Sequence, residues 1–141
     1  MRLHCFTYGS LMCDDIMSAV CGLERGRLVG EPAWLADFSR HPVRGEAYPG
    51  MVPAPSGAVE GVLYRGLPAA AWPRLDEFEG AQYERQAVRI RTASGEPLEA
   101  ETYVFRPEFA HLLLPGDWDF DAFLREGKAR FMAGYLGFDR L

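Results

Sequence analysis

The sequence predicts an α+β fold in which a curved, barrel-like and mainly antiparallel sheet carries helices on its outside. Three observations lead to this prediction. Short segments with strand-like alternation dominate the middle of the chain, helical segments stand near its start, its middle and its end, and the glycines and prolines of the first two thirds separate these elements by turns.

The first elements are a strand and a short helix. Arg2–Tyr8 is predicted to be a strand, which the pair Gly9 and Ser10 ends. Asp14–Cys21 then has the length and pattern of a short helix, and Gly22 is suited to its C-terminal cap.

The middle of the chain is predicted to contain three strands, one loop and one helix. The strands are expected at Gly26–Gly30, Trp34–Arg40 and Ala58–Arg65, with a Pro/Gly-rich loop over Tyr48–Gly57. Leu67–Glu79 follows as a helix, because a proline stands in its first turn and a glycine just after its end.

A hairpin and a long helix complete the prediction. Tyr83–Thr92 and Leu98–Arg106 are expected to pair around a turn of four residues. The final segment, from Asp119 to about Tyr135, is expected to be an amphipathic helix. Its apolar face would consist of Phe120, Phe123, Leu124, Phe131 and Tyr135.

Length and charge exclude several classes of protein. The 141 residues fit one domain, 1–141, and suffice to bury roughly 68–70% of the surface of the unfolded chain. The net charge is −5 and the arginines are scattered, so nucleic acid is not an expected partner. No apolar run is long enough to span a membrane.

The N-terminus and the cysteines indicate the compartment. The first residues lack the pattern of a secretory signal, and three cysteines do not form a disulfide framework or a zinc site. We therefore expect a cytoplasmic protein with reduced thiols. The sequence leaves the oligomeric state open.

The first candidate site is Tyr8-Gly9-Ser10-Leu11, where a strand ends in a glycine turn and a helix follows. Backbone N–H groups of such a turn can hold a carboxylate or a phosphate. An ordinary strand-to-helix turn is the alternative interpretation of this spacing.

The second candidate is Glu79, at the end of the middle helix. Helical spacing places it on the same face as Trp72 and Leu75, while Asp76 and Glu77 can reach water. Burial and the negative end of the helix dipole would both raise the pKa of Glu79, which suits a general base. A glutamate turned outward into solvent is the alternative.

Other constellations are less specific. Asp117, Asp119 and Asp121 resemble the start of a calcium loop, but the later ligands are missing, so we expect them to cap a helix. The three histidines share no metal spacing, and Ser10 lacks the context of a nucleophile elbow. No phosphate-binding glycine pattern is present, and we expect neither a metal nor an organic cofactor.

Taken together, two separated motifs resemble the gamma-glutamylcyclotransferase-like family, which includes the gamma-glutamylamine cyclotransferases and the plant avirulence-induced proteins. The motifs are Phe6-Thr7-Tyr8-Gly9-Ser10-Leu11 and Leu75-Asp76-Glu77-Phe78-Glu79-Gly80-Ala81-Gln82-Tyr83-Glu84-Arg85. The segments Tyr48-Pro49-Gly50-Met51-Val52-Pro53 and Val59-Glu60-Gly61-Val62-Leu63-Tyr64 also resemble the middle section of the family, and the resemblance covers roughly residues 3–106.

The resemblance implies a small mixed β-barrel with flanking helices. It also implies that the backbone of Tyr8, Gly9, Ser10 and Leu11 holds the glutamyl part of a substrate, and that Glu79 accepts a proton. The implied reaction cyclises a γ-glutamyl amine or γ-glutamyl amino acid to 5-oxoproline and releases the free amine.

Two further functions stay open at this stage. A non-catalytic binding module could keep the same pocket, because a shared fold does not guarantee a shared activity. An amidase that uses water would release glutamate in place of 5-oxoproline. The sequence does not identify the leaving group or the residues that select it.

Overall fold

The computed structural model describes residues 3–135. Five strands form one sheet: β1 Leu3–Thr7, β2 Gly30–Pro42, β3 Pro49–Leu67, β4 Tyr83–Thr92 and β5 Pro97–Phe105. The helices are α1 Asp14–Cys21, α2 Ala71–Glu79, α3 Phe120–Ala122 and α4 Lys128–Tyr135, with a π-helical turn Phe123–Gly127 between the last two. Short 3₁₀ segments occupy Ser10–Met12 and Pro107–Leu112.

The sheet is a closed barrel with the strand order β1-β3-β2-β4-β5. The pair β1/β5 that closes it is parallel, with Cys5 opposite Glu101, and the other pairs are antiparallel. The expected α+β class, a mixed and mainly antiparallel barrel with flanking helices, is therefore confirmed.

Alternation along β1 divides the core into two parts. Phe6 points into the barrel, where it meets apolar side chains from all the strands, Leu63 and Ile90 among them. Cys5 points outward and packs under the helices with Ile16 and Leu75. Burial of one such large side chain contributes about 1.5–3 kcal/mol, so both faces of β1 are held in place.

The structure confirms the first helix and the hairpin. Helix α1 has the predicted bounds, and Gly22 ends it in the left-handed conformation at φ 71°. Strands β4 and β5 pair in one continuous register around a turn, within one residue of the prediction. Strand β1 lies inside the predicted Arg2–Tyr8, of which Arg2 is outside the described residues.

The prediction of a loop at Tyr48–Gly57 is wrong, because most of this segment belongs to β3. Proline is tolerated in a strand at its first residue and at a bulge. Pro49 is the first residue of β3, and Pro55 lies where four residues bulge out between the pairs Phe38/Pro53 and Ala36/Ala58. These two prolines, which indicate a loop in isolation, therefore occupy permitted positions in this long strand.

Two other boundaries differ from the prediction. The segment Gly26–Gly30 is a turn rather than a strand, since the Arg27 N–H donates to the carbonyl oxygen of Glu24 and β2 begins only at Gly30. Helix α2 begins at Ala71 rather than Leu67, because Leu67 still belongs to β3 and a turn at Pro68 separates the two elements.

The final helix is interrupted where a continuous one was predicted. Its π-helical turn widens the spacing of the residues that face the core. Phe123 and Phe131 are buried, whereas Leu124, which was expected on the apolar face, is 43% exposed. The side chain of Tyr135 lies outside the described part of the structure. Within residues 3–135, no helix combines the length and the apolarity needed to cross a membrane.

Candidate active site

A cavity of about 70 Å³ opens between the end of β1 and the end of α2. One water molecule occupies about 10–15 Å³ of such space, so the cavity admits several non-hydrogen atoms. The lining consists of Cys5, Phe6, Thr7, Tyr8, Gly9, Ser10, Leu11, Tyr48, Pro49, Phe78, Glu79, Tyr83, Tyr103 and Phe131. All five residues that the sequence singled out are among them.

The turn that follows β1 presents backbone donors. The Met12 N–H donates to the Gly9 carbonyl oxygen at 3.0 Å, which closes a 3₁₀ turn. Such a turn leaves its first N–H groups without a partner. Among residues 3–135, nothing accepts a hydrogen bond from the N–H groups of Gly9, Ser10 and Leu11. The turn is therefore equipped to receive an anion.

Gly9 is required at this turn by a neighbouring ring. A Cβ atom on Gly9 would lie 2.8 Å from Cδ of Pro49. The backbone angles of Gly9 are φ −129° and ψ −134°, so the residue is not in the left-handed region. The contact with Pro49 is therefore the steric constraint on this position.

The side chains of the turn are part of the core. Leu11 packs among the residues under the helices, and Ser10 is also buried. The Tyr8 hydroxyl donates to the Tyr103 carbonyl oxygen at 2.6 Å inside the barrel. These contacts fix the turn from both sides, so its N–H groups hold one orientation.

Glu79 ends α2 and faces the cavity. Trp72 and Leu75 on the same helix face are buried, as the spacing predicted. Within residues 3–135, no group donates a hydrogen bond to the Glu79 carboxylate. Burial raises the pKa of Glu79 from 4.5 to about 8. Burial alone accounts for this direction, without the helix dipole.

The charge of Glu79 also acts on the side chain of Tyr8. Burial is the main reason that the pKa of the Tyr8 hydroxyl is raised, and the charge of Glu79 raises it further. The Tyr8 side chain and the Glu79 carboxylate therefore interact electrostatically.

The opposite wall of the cavity is aromatic. Tyr48 lies 6.4 Å from Tyr83 and from Phe131, and Phe78 lies 6.0 Å from Phe131, measured between ring centroids. The Tyr83 hydroxyl donates to the Pro49 carbonyl oxygen at 2.7 Å. The site residues that the sequence singled out did not include this wall. Tyr48 and Tyr83 lie inside the segments that resemble the family. That resemblance was the signal in the sequence that could have identified the wall.

The other candidate residues have structural partners. The Asp119 carboxylate accepts the Ala122 N–H at 3.0 Å, so it caps a helix as expected. Two neighbouring carboxylates stand apart from the cavity. Asp76 accepts a hydrogen bond from the Tyr103 hydroxyl at 2.6 Å, and neither Asp76 nor Glu84 lines the cavity. No group of metal-binding side chains occurs in the described part of the chain.

Comparison with known proteins identifies the family. A family model described as gamma-glutamyl cyclotransferase, AIG2-like, matches residues 5–120. AIG2-like protein D of Arabidopsis thaliana is 37% identical over 133 residues, which are 93% of this chain and 82% of that protein. AIG2-like protein C of the same plant is 30% identical over 90% of this chain and 72% of its own length. The chain therefore belongs to the gamma-glutamyl cyclotransferase, AIG2-like family.

Solved structures show the same fold. The solution structure of an Arabidopsis thaliana protein is 26% identical, with a TM-score of 0.70, and the match covers 96% of this chain and 80% of that one. A structure described as a gamma-glutamyl cyclotransferase has a TM-score of 0.65 at 16% identity, over 79% of this chain and 76% of its own. The second likeness concerns the fold alone.

Proposed function

We propose that this protein is a cyclotransferase that converts a γ-glutamyl amine or γ-glutamyl amino acid to 5-oxoproline and releases the free amine. One observation carries the proposal: Glu79, whose carboxylate has a raised pKa and no donor among the described residues, lines the same cavity as Tyr8, Gly9, Ser10 and Leu11, the Gly9 turn. Family membership supports the same reaction.

The substrate brings both reacting groups. Its α-amine is the nucleophile and its γ-carbonyl carbon is the electrophile, at the spacing that closes a five-membered lactam. Holding the two in contact supplies several kcal/mol of the rate enhancement. A cavity that folds the substrate therefore needs few catalytic groups.

Glu79 would move the protons. The incoming α-ammonium group favours the ionised carboxylate, which then takes a proton from it. The freed nitrogen attacks the γ-carbonyl carbon, a new C–N bond forms, and the old amide C–N bond breaks. Two protons leave the α-nitrogen and two reach the departing nitrogen. Glu79 carries these protons one at a time. The reaction consumes no water.

The Gly9 turn would hold the glutamyl group. Its N–H groups are fixed donors, and hydrogen bonds from such groups to charged groups are strong. They suit either the α-carboxylate or the oxyanion that forms at the γ-carbon. No metal or organic cofactor is required for either role.

The experiment is a mass-spectrometric screen of γ-glutamyl compounds in ¹⁸O-labelled water. The panel contains γ-glutamyl amines, γ-glutamyl amino acids and glutathione. The proposal predicts unlabelled 5-oxoproline from at least one of them. Labelled glutamate would identify an amidase, and binding without turnover would identify a binding module; either result contradicts the proposal.

A further inference from the structure

Arg40 stands behind the Gly9 turn and holds its backbone. Its Nη1 donates to the Tyr8 carbonyl oxygen at 2.9 Å and to the Glu60 carbonyl oxygen at 3.3 Å. The Arg40 side chain is 12% exposed and does not line the cavity itself. The positive charge of the Arg40 guanidinium therefore lies behind the cavity wall, on the side away from the cavity.

Two residues near the C-terminal helices fix Arg40 in this position. Its Nε and Nη2 donate to the two carboxylate oxygens of Asp117 at 2.8 and 3.2 Å. The hydrogen bond from Arg40 holds the pKa of Asp117 below its usual value. The guanidinium also lies 5.7 Å from the ring centroid of Trp118. Such bidentate and stacked contacts suit arginine and are lost with lysine.

The contact of Arg40 with the Tyr8 carbonyl also affects the Gly9 N–H, because both groups belong to the same peptide unit. In a trans peptide the N–H points opposite to the C=O, so the Gly9 N–H is directed away from Arg40. A hydrogen bond to the carbonyl polarises the peptide and strengthens its N–H as a donor. This N–H has no acceptor among residues 3–135.

The substrate supplies the matching charge. A γ-glutamyl compound carries a full negative charge on its α-carboxylate, and a buried charge needs a compensating partner. The described lining contains no lysine or arginine side chain. Arg40 is the basic residue that contacts the backbone of that lining, through Tyr8.

We propose that Arg40 is a positioning residue, which orients and polarises the Tyr8–Gly9 peptide so that the Gly9 N–H receives the substrate α-carboxylate. This role rests on the proposed function, because it requires a γ-glutamyl ligand in the cavity. In this role the turn binds the α-carboxylate of the substrate and not the oxyanion that forms at the γ-carbon.

The test follows the Gly9 amide resonance by NMR during titration with γ-glutamylethylamide. In the unmodified protein the Gly9 amide proton is expected to move downfield as the carboxylate binds. Arg40→Lys is expected to weaken binding about tenfold, the effect of losing one charge-assisted contact. The titration of Glu79 should stay unchanged in this variant, because its surroundings are untouched.

Two further variants complete the design. Asp117→Asn keeps the guanidinium at Tyr8 but weakens its anchor, and we expect about two- to fivefold weaker binding; it carries the test should Arg40→Lys not fold. Arg65→Lys is the matched control, because Arg65 pairs with Glu31 and Glu96 outside the cavity. Its affinity should equal that of the unmodified protein.

Three results would overturn the role of Arg40. Equal affinity of the folded Arg40 or Asp117 variant and the control would show that the guanidinium does not matter. A Gly9 amide that does not respond to a bound probe would exclude the turn as the carboxylate site. Failure of the unmodified protein to bind any γ-glutamyl compound of the screen would overturn the proposed function as well, which distinguishes it from the first two results.

Discussion

Gly9 and Glu79 line the same cavity, although they are 70 positions apart in the chain. Gly9 follows the end of β1 and Glu79 is the last residue of α2. The closed barrel and its helices are rigid, so residues at their ends are held at fixed positions. The chemistry proposed for the cavity depends on this placement.

The first prediction concerns the pH dependence of catalysis. With a pKa of about 8, Glu79 is largely protonated in the free enzyme below that pH and cannot accept a proton. We therefore expect kcat/KM to rise about tenfold per pH unit below pH 8 and then to level off. A profile that is already flat at pH 6 would show that the essential base is another group.

The second prediction concerns the pH dependence of stability. Burial raises the pKa of Glu79 from 4.5 to about 8 in the folded state, so between these pH values the folded protein holds a proton that the unfolded chain releases. Stability is then lost as the pH rises, by at most about 1.4 kcal/mol per unit. Glu79→Gln removes this dependence. In urea unfolding, the free energy of unfolding of the variant should rise relative to that of the parent from pH 5 to 8. A difference that does not change with pH would contradict the raised pKa of Glu79.

The third prediction concerns the contact between Gly9 and Pro49. Gly9→Ala would bring a Cβ atom to 2.8 Å from Cδ of Pro49, and such overpacking costs about 1–3 kcal/mol. Pro49→Ala removes the ring, so the double variant should be more stable than the sum of the two single changes predicts. Urea unfolding of the four proteins measures this coupling. Strict additivity would show that Pro49 is not the constraint on Gly9.

The fourth prediction concerns the leaving group. The described lining offers seven aromatic side chains and no basic side chain to pair with a second carboxylate. We compare γ-glutamyl-2-phenylethylamide with γ-glutamylphenylalanine, which differ only by that carboxylate. The amide should have a kcat/KM at least about tenfold higher, which corresponds to one unfavourable charge contact. Equal or faster turnover of γ-glutamylphenylalanine would contradict this preference.

Local signals in the sequence predicted part of this structure. Helix α1 ends at Gly22 because a left-handed cap favours glycine, and β4 and β5 pair across a short turn. Both depend on neighbouring residues. The predicted position of Glu79 on the face of Trp72 and Leu75 follows in the same way from helical spacing.

Long-range contacts account for what the sequence missed. Strand β3 runs through prolines and glycines that indicate a loop, because the bulge opposite Asp37 and the packing of Gly50 against Phe105 make them permissible. The hydrogen bond from Arg40 to the Tyr8 carbonyl oxygen joins residues 32 positions apart, and no periodic pattern in the sequence indicates it. Such contacts form only in the closed barrel, so local patterns in the sequence do not predict them.

The most direct test of the account is the rate of 5-oxoproline release by Glu79→Gln, measured by mass spectrometry with a substrate from the screen. The variant keeps the shape of the side chain and removes the base, so the rate should fall by about 10²–10⁴-fold while substrate binding is retained. Glu77→Gln, on the exposed side of the same helix, is the control and should keep the parental rate. Near-parental release of 5-oxoproline by Glu79→Gln would contradict the assignment of Glu79 as the base.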